Sequence, residues 1–221
     1  MGLRGPKPQG RISTEWSPNL AYAIGLLATD GCLSKDGRHL ELTSKDREQL
    51  ENFRLCLRIN NRITTKTSGY TGKLYTRIQF GDVSFYRFLT DIGLTPAKSK
   101  TLGKLDIPPQ HFFDFLRGAF DGDGTFYSYW DPRWKSSFMF YTAFASASLA
   151  HIDWIRASLL RYLDVKGHVT RDGRGITYQL KYAKTESLKV LSRMYRRDTA
   201  IYLKRKRLKI ERALHIIGMK L

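Results

Sequence analysis

Two aspartates at the ends of apolar segments are the residues best placed to do chemistry. Asp30 closes the segment NLAYAIGLLATD and Asp123 closes FFDFLRGAFDGD, and a glycine and a short strand-like run follow each of them. The apolar residues recur at helical spacing, and Ser17 before a proline supplies a helix start for the first segment. Each carboxylate is therefore predicted to lie at the C-terminal end of a helix.

Small residues recur every fourth position in both segments, at Ala21, Gly25, Thr29, Gly118 and Gly122. Residues at this spacing share one helical face, and a face of small residues allows two helices to approach more closely than usual. If the two helices pack on these faces, the two carboxylates meet at the negative ends of two helix dipoles and repel each other. This arrangement predicts a bound divalent cation, Mg²⁺ by preference for hard oxygen ligands, with Ca²⁺ or Mn²⁺ able to substitute. The alternative interpretation, that each Asp-Gly pair is an ordinary helix-ending turn, stays open for either one alone.

The sequence contains two copies of one pattern. Ser44 and Ser146 both end a strand before a helix, and Tyr75 and Thr177 begin alternating strands; each pair is 102 residues apart. Asp30 and Asp123 are 93 residues apart, so the second copy has about nine extra residues, placed around 129–135. Each copy reads helix, hairpin, helix, hairpin, helix, which predicts an α+β fold.

These repeats divide the chain into four parts. We expect a flexible basic N-terminal arm over residues 1–16, a first repeat over 17–95, a linker over 96–108 and a second repeat over 109–221. The boundaries follow the Lys- and Pro-rich stretch between the copies.

The charge of the chain indicates its partner. The 221 residues include 38 Lys and Arg against 20 Asp and Glu, a net charge of +18, with 42% hydrophobic residues. Such a surface binds polyanions by counterion release, and together with the aromatic content it favours nucleic acid. Charge alone also suits a ribosomal-type or membrane-surface protein.

The expected location is cytoplasmic, or an organellar matrix if the gene is organellar. The start of the chain has no apolar core of a secretory signal, and the longest apolar run, Leu20 to Ala28, is shorter than the ~20 residues needed to span a bilayer. Cys32 and Cys56 lack the spacing of a zinc site or a disulfide framework.

The sequences AIGLLATDG (23–31) and LRGAFDGDG (116–124) resemble the two signature motifs of the LAGLIDADG homing endonucleases. The resemblance implies two pseudo-symmetric αββαββα repeats in one monomeric chain. Their curved antiparallel sheets would form a DNA-binding saddle, with the motif helices at the interface between repeats and no protein partner. It also implies that Asp30 and Asp123 are catalytic metal ligands, assisted by the backbone carbonyls of Thr29 and Gly122. The sixth motif position is Ala28 in the first copy and Asp121 in the second; we interpret Asp121 as a local cap or hydrogen-bond acceptor.

The activity implied by the resemblance is site-specific hydrolysis of double-stranded DNA. One phosphodiester per strand of a long asymmetric site would be cut with divalent metal, leaving 3′ overhangs, as in intron homing. Lysines usually complete such a site, and the candidates are Lys98 or Lys100 in the first copy and Lys204 or Lys206 in the second, with Lys98 and Lys206 preferred; simple phosphate contacts are the alternative for each. Ser44 and Ser146 lie where the family often has a water-positioning residue.

The outward faces of the strands are expected to read the DNA, because alternate side chains of a strand point away from the helices. The predicted DNA-binding residues are His39, Glu41, Thr43, Arg62, Thr64, Lys66, Tyr75, Arg77, Gln79, Tyr141, His168, Thr170, Thr177, Gln179 and Lys181. Three tryptophans, Trp130, Trp134 and Trp154, are interpreted as core or hairpin packing.

Other functions stay open. An intron RNA maturase or a non-cleaving DNA-binding protein could use the same fold, although the presence of both aspartates favours the nuclease. The chain lacks the Cys or Ser start and the His-Asn end that protein splicing requires, which argues against an intein. An unrelated basic protein with two Asp-Gly turns is the remaining alternative.

Overall fold

The computed structural model describes residues 10–67, 72–173 and 177–221. The first half contains, in chain order, α1 (Pro18–Asp30), β1 (Gly31–Leu33), β2 (His39–Ser44), α2 (Arg47–Leu57), β3 (Thr64–Thr67), β4 (Leu74–Gly81) and α3 (Val83–Asp91). The second half contains α4 (Phe112–Asp123), β5 (Thr125–Trp130), β6 (Phe138–Ser146), α5 (Leu149–Leu163), β7 (His168–Arg171), β8 (Tyr178–Tyr182), α6 (Lys184–Met194) and α7 (Lys204–Ile216). The predicted α+β fold of two αββαββα repeats is confirmed, with α7 added after the second.

The two sheets have the same topology. Each has four antiparallel strands, in the order β1-β2-β4-β3 in one sheet and β5-β6-β8-β7 in the other. Their registers also agree: Leu42 is paired with Ile78 in the first sheet, and Phe144 with Leu180 in the second. The members of the second pair lie 102 residues after those of the first. The offset between repeats in the structure is therefore the one that the sequence predicted.

The extra residues of the second copy lengthen its first hairpin. Strands β5 and β6 have six and nine residues, against three and six in β1 and β2. The amide of Asp131 and the carbonyl of Ser137 close the longer loop at 2.9 Å. This hairpin therefore extends further from the helices than its counterpart.

The two motif helices begin and end by local chemistry. The Ser17 hydroxyl accepts a hydrogen bond from the Leu20 amide at 3.2 Å, and Pro18 takes the first helical position. Gly31 follows α1 with φ −84°, in extended backbone rather than a left-handed turn. A Cβ at Gly31 would lie 2.6 Å from the Leu27 Cα, so glycine is required there because the strand leaves very close to the helix.

Each half has its own hydrophobic core, and Trp154 packs against both. Trp130 packs on Phe138 with ring centroids 5.1 Å apart, as hairpin packing requires. The interpretation was wrong for Trp134, which is 68% exposed at the hairpin tip. In the described part of the chain, no helix combines the length and apolar character needed to cross a membrane.

The segments around the first repeat are packed rather than loose. In the predicted linker Leu102, Leu105 and Ile107 are buried. In the predicted flexible arm Ile12 is buried, and the carboxylate of Asp82 accepts hydrogen bonds from the amides of residues 11 and 12 at 2.7 and 3.2 Å. The expectation of a flexible arm therefore fails for its last residues, because Asp82 fixes them to the start of α3; residues 1–9 lie outside the described residues.

Candidate active site and DNA-binding surface

The motif helices α1 and α4 pack backbone to backbone. A Cβ placed on Gly25 would lie 2.2 Å from the Phe115 carbonyl oxygen, and one on Gly118 would lie 2.1 Å from the Tyr22 carbonyl oxygen. These atoms belong to the facing helix and cannot move without separating the two halves. The predicted packing on small residues is confirmed.

The same packing brings the C-terminal ends of the two helices together. A Cβ on Gly122 would lie 2.0 Å from the Thr29 hydroxyl and 2.8 Å from a carboxylate oxygen of Asp30. Asp30 therefore lies directly against the residue that precedes Asp123. The structure brings the two predicted catalytic aspartates to one place.

The electrostatics of this place favour a cation. Burial, and then the charge of Asp123, raise the pKa of Asp30 to about 6, while the hydrogen bond from Gln49 lowers it. Burial also raises the pKa of Asp123, against the opposing charges of Lys206 and Lys98. The carboxylates of Asp30 and Asp123, of which the second raises the proton affinity of the first, provide the hard oxygen donors that Mg²⁺ prefers. Among residues 10–67, 72–173 and 177–221 no group of three or more acidic, His or Cys side chains could hold a metal, so further ligands would be backbone carbonyls or water.

Gln49 holds Asp30 and was not predicted. Its Nε2 donates to the Asp30 carboxylate at 2.7 Å, and its Oε1 accepts from the Ser44 hydroxyl at 3.0 Å. The Gln49 side chain is only 2% exposed. Ser44, predicted as a water-positioning residue, instead orients this glutamine; the signal for Gln49 was its place in the first turn of the helix that follows Ser44.

The second half has a different residue at this position. His151 lies 102 residues after Gln49, and its ring Nδ1 donates to the Gly103 carbonyl at 2.9 Å. With Asp123 and Ser146 it lines a cavity of about 30 Å³, the size of one water molecule. Gln49 therefore holds Asp30, whereas its counterpart His151 bonds a backbone carbonyl.

Both preferred lysines reach the helix ends. Lys98 is buried and donates to the Gly31 carbonyl. Lys206 donates to the carbonyls of Gly122 and Gly124 at 3.0 and 2.7 Å, and burial lowers its pKa to about 8. Both lysines are therefore buried against helix-end carbonyls.

The other two candidate lysines lie outside the site. Lys100 and Lys204 are exposed, and the Lys204 ammonium is 3.8 Å from the carboxylate of Glu48. Gly122, predicted as a carbonyl metal ligand, shares its oxygen with Lys206, whereas Thr29 uses its hydroxyl to bond the carbonyls of Gly25 and Leu26 within α1.

Asp121 connects α4 to α7. Its Oδ2 accepts from the Tyr22 hydroxyl at 2.7 Å and from the Leu203 amide at 2.8 Å, and its side chain is fully buried. These partners lie on α1 and at the start of α7, so the prediction of a local cap was wrong. Asp121 fixes the helix that carries Lys206. The equivalent residue of the first half is Ala28, whose side chain cannot make this connection.

The predicted DNA-binding residues of the first half share the outward face of their sheet. Cross-strand neighbours lie on one face, and here they are Glu41 with Gln79, Thr43 with Arg77, Thr64 with Arg77, and Lys66 with Tyr75. The Glu41 carboxylate binds Lys66 at 2.9 Å and Arg77 at 3.2 Å, so this face carries a charge network. Arg62 precedes β3, and His39 at the other end bonds Asp36 at 2.5 Å.

The predicted residues of the second half also fall on one face. Gln179 pairs with Thr170 and Lys181 with His168, and Thr177 lies just before β8. Tyr141 pairs with Tyr127, which was not predicted. Strand β5 reads TFYSYW, with aromatic residues on both faces, so the alternation that revealed the other strands was absent.

Known proteins share this architecture. Residues 17–93 match the family model described as LAGLIDADG-like domain. The fold is similar to the I-LtrWI LAGLIDADG homing endonuclease bound to target DNA, with 12% identity, a TM-score of 0.60, and coverage of 91% of this chain and 90% of that one. It is also similar to the LAGLIDADG meganuclease I-AabMI bound to uncleaved DNA, with 14% identity, a TM-score of 0.58, and coverage of 88% of each chain. A third similar structure is the N-terminal LAGLIDADG domain of DUF199/WhiA, with 16% identity, a TM-score of 0.55, and coverage of 90% of this chain and 89% of that one. No curated protein matches the chain.

The fold and the paired acidic helix ends define a two-repeat LAGLIDADG architecture. The resemblance seen in the motifs is confirmed: residues 17–93 match the LAGLIDADG-like domain model, and the second half repeats the fold of the first within the same chain.

Proposed function

We propose that this chain is a site-specific endonuclease that cuts both strands of a long, asymmetric DNA site, using Mg²⁺ held by Asp30 and Asp123. The observation that carries the proposal is the meeting of two carboxylates, Asp30 half-buried and Asp123 exposed, at abutting helix ends, each end also contacted by a buried lysine. Folding alone gains nothing from bringing like charges together. Because one chain supplies both acids, a monomer suffices.

Each residue of the site has a separate task. The carboxylates of Asp30 and Asp123 lie at adjoining helix ends and supply one acid for each DNA strand. When bound, the metal lowers the pKa of water and offsets charge on the leaving oxygen. Gln49 keeps one oxygen of Asp30 in a fixed position. Lys98 and Lys206 place positive charge at the carbonyl ends of the two motif helices, where a phosphate must approach.

The outward sheet faces hold the DNA on either side of this site. The net charge of +18 supplies the nonspecific attraction, and the polar side chains of β2, β4 and β8 face the major groove. Two acids related by the repeat symmetry favour one cut in each strand across the minor groove, with 3′ overhangs.

A non-cleaving DNA-binding protein is the second candidate. The similarity to the DUF199/WhiA domain supports it, since the fold matches that protein about as well as it matches the endonucleases. The fold therefore does not distinguish a nuclease from a non-cleaving DNA-binding protein. It does not distinguish either of them from an intron maturase. The two paired carboxylates favour the nuclease.

Cleavage of a randomised duplex library in Mg²⁺ tests the proposal. We expect the wild-type protein to release fragments with defined 3′ overhangs. Asp30→Asn and Asp123→Asn preserve size but remove the charge, and we expect them to bind the selected duplex and leave it uncut. If the wild-type protein selects a specific duplex but cuts it in neither Mg²⁺ nor Mn²⁺, the non-cleaving function takes the place of the nuclease.

A further inference from the structure

A ladder of three tyrosines occupies the outward face of the long hairpin β5–β6. The rings of Tyr127 and Tyr141 are stacked with centroids 5.2 Å apart, and those of Tyr141 and Tyr129 with centroids 6.3 Å apart. The planes of neighbouring rings differ by 13° and 7°. Tyr129 is 41% exposed. The ladder is therefore an ordered aromatic surface rather than three independent side chains.

This face differs from its counterpart in the first half. The outward positions of β5 and β6 are fixed by their register and carry no charged residue: Thr125, Tyr127, Tyr129, Met139, Tyr141, Ala143 and Ala145. In the counterpart hairpin β1–β2, the outward carboxylate of Glu41 binds Lys66 on β3 and Arg77 on β4. The first hairpins of the two halves therefore present chemically different surfaces.

The position of the ladder near Asp123 indicates that its partner is the DNA of the proposed function. Strand β5 begins two residues after Asp123, and at ~3.3 Å per residue Tyr127 and Tyr129 lie about 13 and 20 Å from Asp123 along the chain. One base pair occupies ~3.4 Å of the duplex, so a strand that follows the groove carries these rings about four to six base pairs from the cut.

The spacing of the tyrosine rings determines which groups of the DNA they can contact. Neighbouring rings of the ladder already stack on each other, so no gap is open for an unpaired base. The ladder instead presents ring edges and one exposed end to the groove. The apolar group on a base edge in the major groove is the C5-methyl group of thymine.

We propose that Tyr127, Tyr129 and Tyr141 form a reading surface for thymine methyl groups, so that the half-site under the second sheet is rich in T·A pairs about four to six base pairs from the cut. This inference rests on the proposed function. The charged face of the first sheet reads its half-site by hydrogen bonding and gains little from methyl groups.

Replacement of thymine by deoxyuridine tests this directly, because it removes only the methyl group. Duplexes are selected from a random library with wild-type protein in EDTA, and the preferred duplex is then made with deoxyuridine in one half at a time. We expect about fourfold weaker binding per buried methyl in one half and no change in the other. Equal effects in both halves, or none in either, overturn the inference.

Two variants identify which sheet of the protein reads the thymine methyl groups. Tyr127→Ala is expected to bind the thymine and deoxyuridine duplexes equally. The matched control is Tyr75→Ala, a tyrosine on the outward face of the first sheet, which is expected to keep the full thymine preference. The deoxyuridine measurement on wild-type protein decides the matter even if Tyr127→Ala does not fold.

Failure of this inference is distinguishable from failure of the proposed function. A specific duplex that is cut in Mg²⁺ but is insensitive to deoxyuridine overturns the tyrosine reading surface alone. A specific duplex that is thymine-dependent but never cut overturns the nuclease and leaves the reading surface in place. The absence of any selected sequence overturns both.

Discussion

Gln49 donates a hydrogen bond to the carboxylate of Asp30 at 2.7 Å, whereas His151, its equivalent in the second half, donates to the Gly103 carbonyl. The two repeats have the same topology and register, so the difference arises from the side chains alone. Asp30 is oriented by a fixed amide, and Asp123 lies beside a small cavity that His151 also lines.

This difference predicts unequal cutting of the two strands in Gln49→Ala. Loss of an orienting partner of a metal ligand typically costs roughly 10–100-fold in activity, and the loss here falls on Asp30. We expect nicked circular plasmid to accumulate before linear product, as followed on agarose gels. Gln79→Ala, on the outward face of β4, is the control and should weaken binding without changing the ratio of nicked to linear DNA. Equal slowing of both cuts would contradict the assignment.

Asp30→Asn is expected to stabilise the metal-free protein at high pH. The pKa of Asp30 is raised from 3.8 to about 6, so the folded protein binds this proton more tightly than the unfolded chain does. The free energy of unfolding therefore falls as pH rises from about 4 to 6, and the penalty stays in full above that range.

The effect is measured by thermal unfolding in EDTA. Asn removes the buried charge and its repulsion from Asp123 and keeps an acceptor for Gln49, so we expect a gain on the order of 1 kcal/mol, or about 2–4 °C in Tm, at pH 8 and none at pH 3.5. Asp153→Asn, at an exposed position of α5, serves as the control. An equal Tm of Asp30→Asn and wild type at pH 8 would contradict the raised pKa of Asp30.

Gly118→Ala is expected to separate the two halves. Its Cβ would lie 2.1 Å from the Tyr22 carbonyl oxygen, a backbone atom that cannot turn away. Overpacking costs typically 1–3 kcal/mol, and we expect at least the upper end in urea unfolding. Gly103→Ala is the matched control, because nothing lies within 4 Å of its added Cβ. Similar stabilities of the two variants would refute the close helix packing.

Asp121→Ala is expected to loosen α7 and displace Lys206. The Tyr22 hydroxyl and the Leu203 amide would both lose their acceptor, at about 1–3 kcal/mol for each buried group. Alanine itself fits this helix position, as Ala28 shows in the first half. We expect faster hydrogen exchange at the Leu203 amide and slower cleavage with little loss of DNA binding. Unchanged exchange at Leu203 would mean that Asp121 does not anchor α7.

The sequence predicted the parts of the fold that depend on local pattern and repetition. The glycine spacing in α1 and α4 predicted the helix contact because that spacing has one structural use, close approach of backbones. The alternation in β4 and β8 predicted their outward faces because one face of each packs on helices. The second repeat could be aligned to the first because Ser44 and Ser146 end equivalent strands.

The residues that were missed depend on contacts between distant segments. Gln49 reaches Asp30 across 19 residues, and Asp121 reaches Leu203 across 82, distances over which spacing carries no signal. Tyr127 and Tyr129 lie in a strand whose two faces are both aromatic, so the period of two is not visible. Asp82 holds residues 11 and 12, a contact that the composition of a basic arm does not reveal.

The central claim is that Asp30 and Asp123 share divalent metal at the helix ends. Anomalous scattering from Mn²⁺, in crystals of the protein with its selected duplex, tests this most directly. We expect metal at about 2.0–2.3 Å from carboxylate oxygens of both aspartates, and its loss in Asp123→Asn. Manganese that binds elsewhere, or no metal between two ordered carboxylates, would contradict the account.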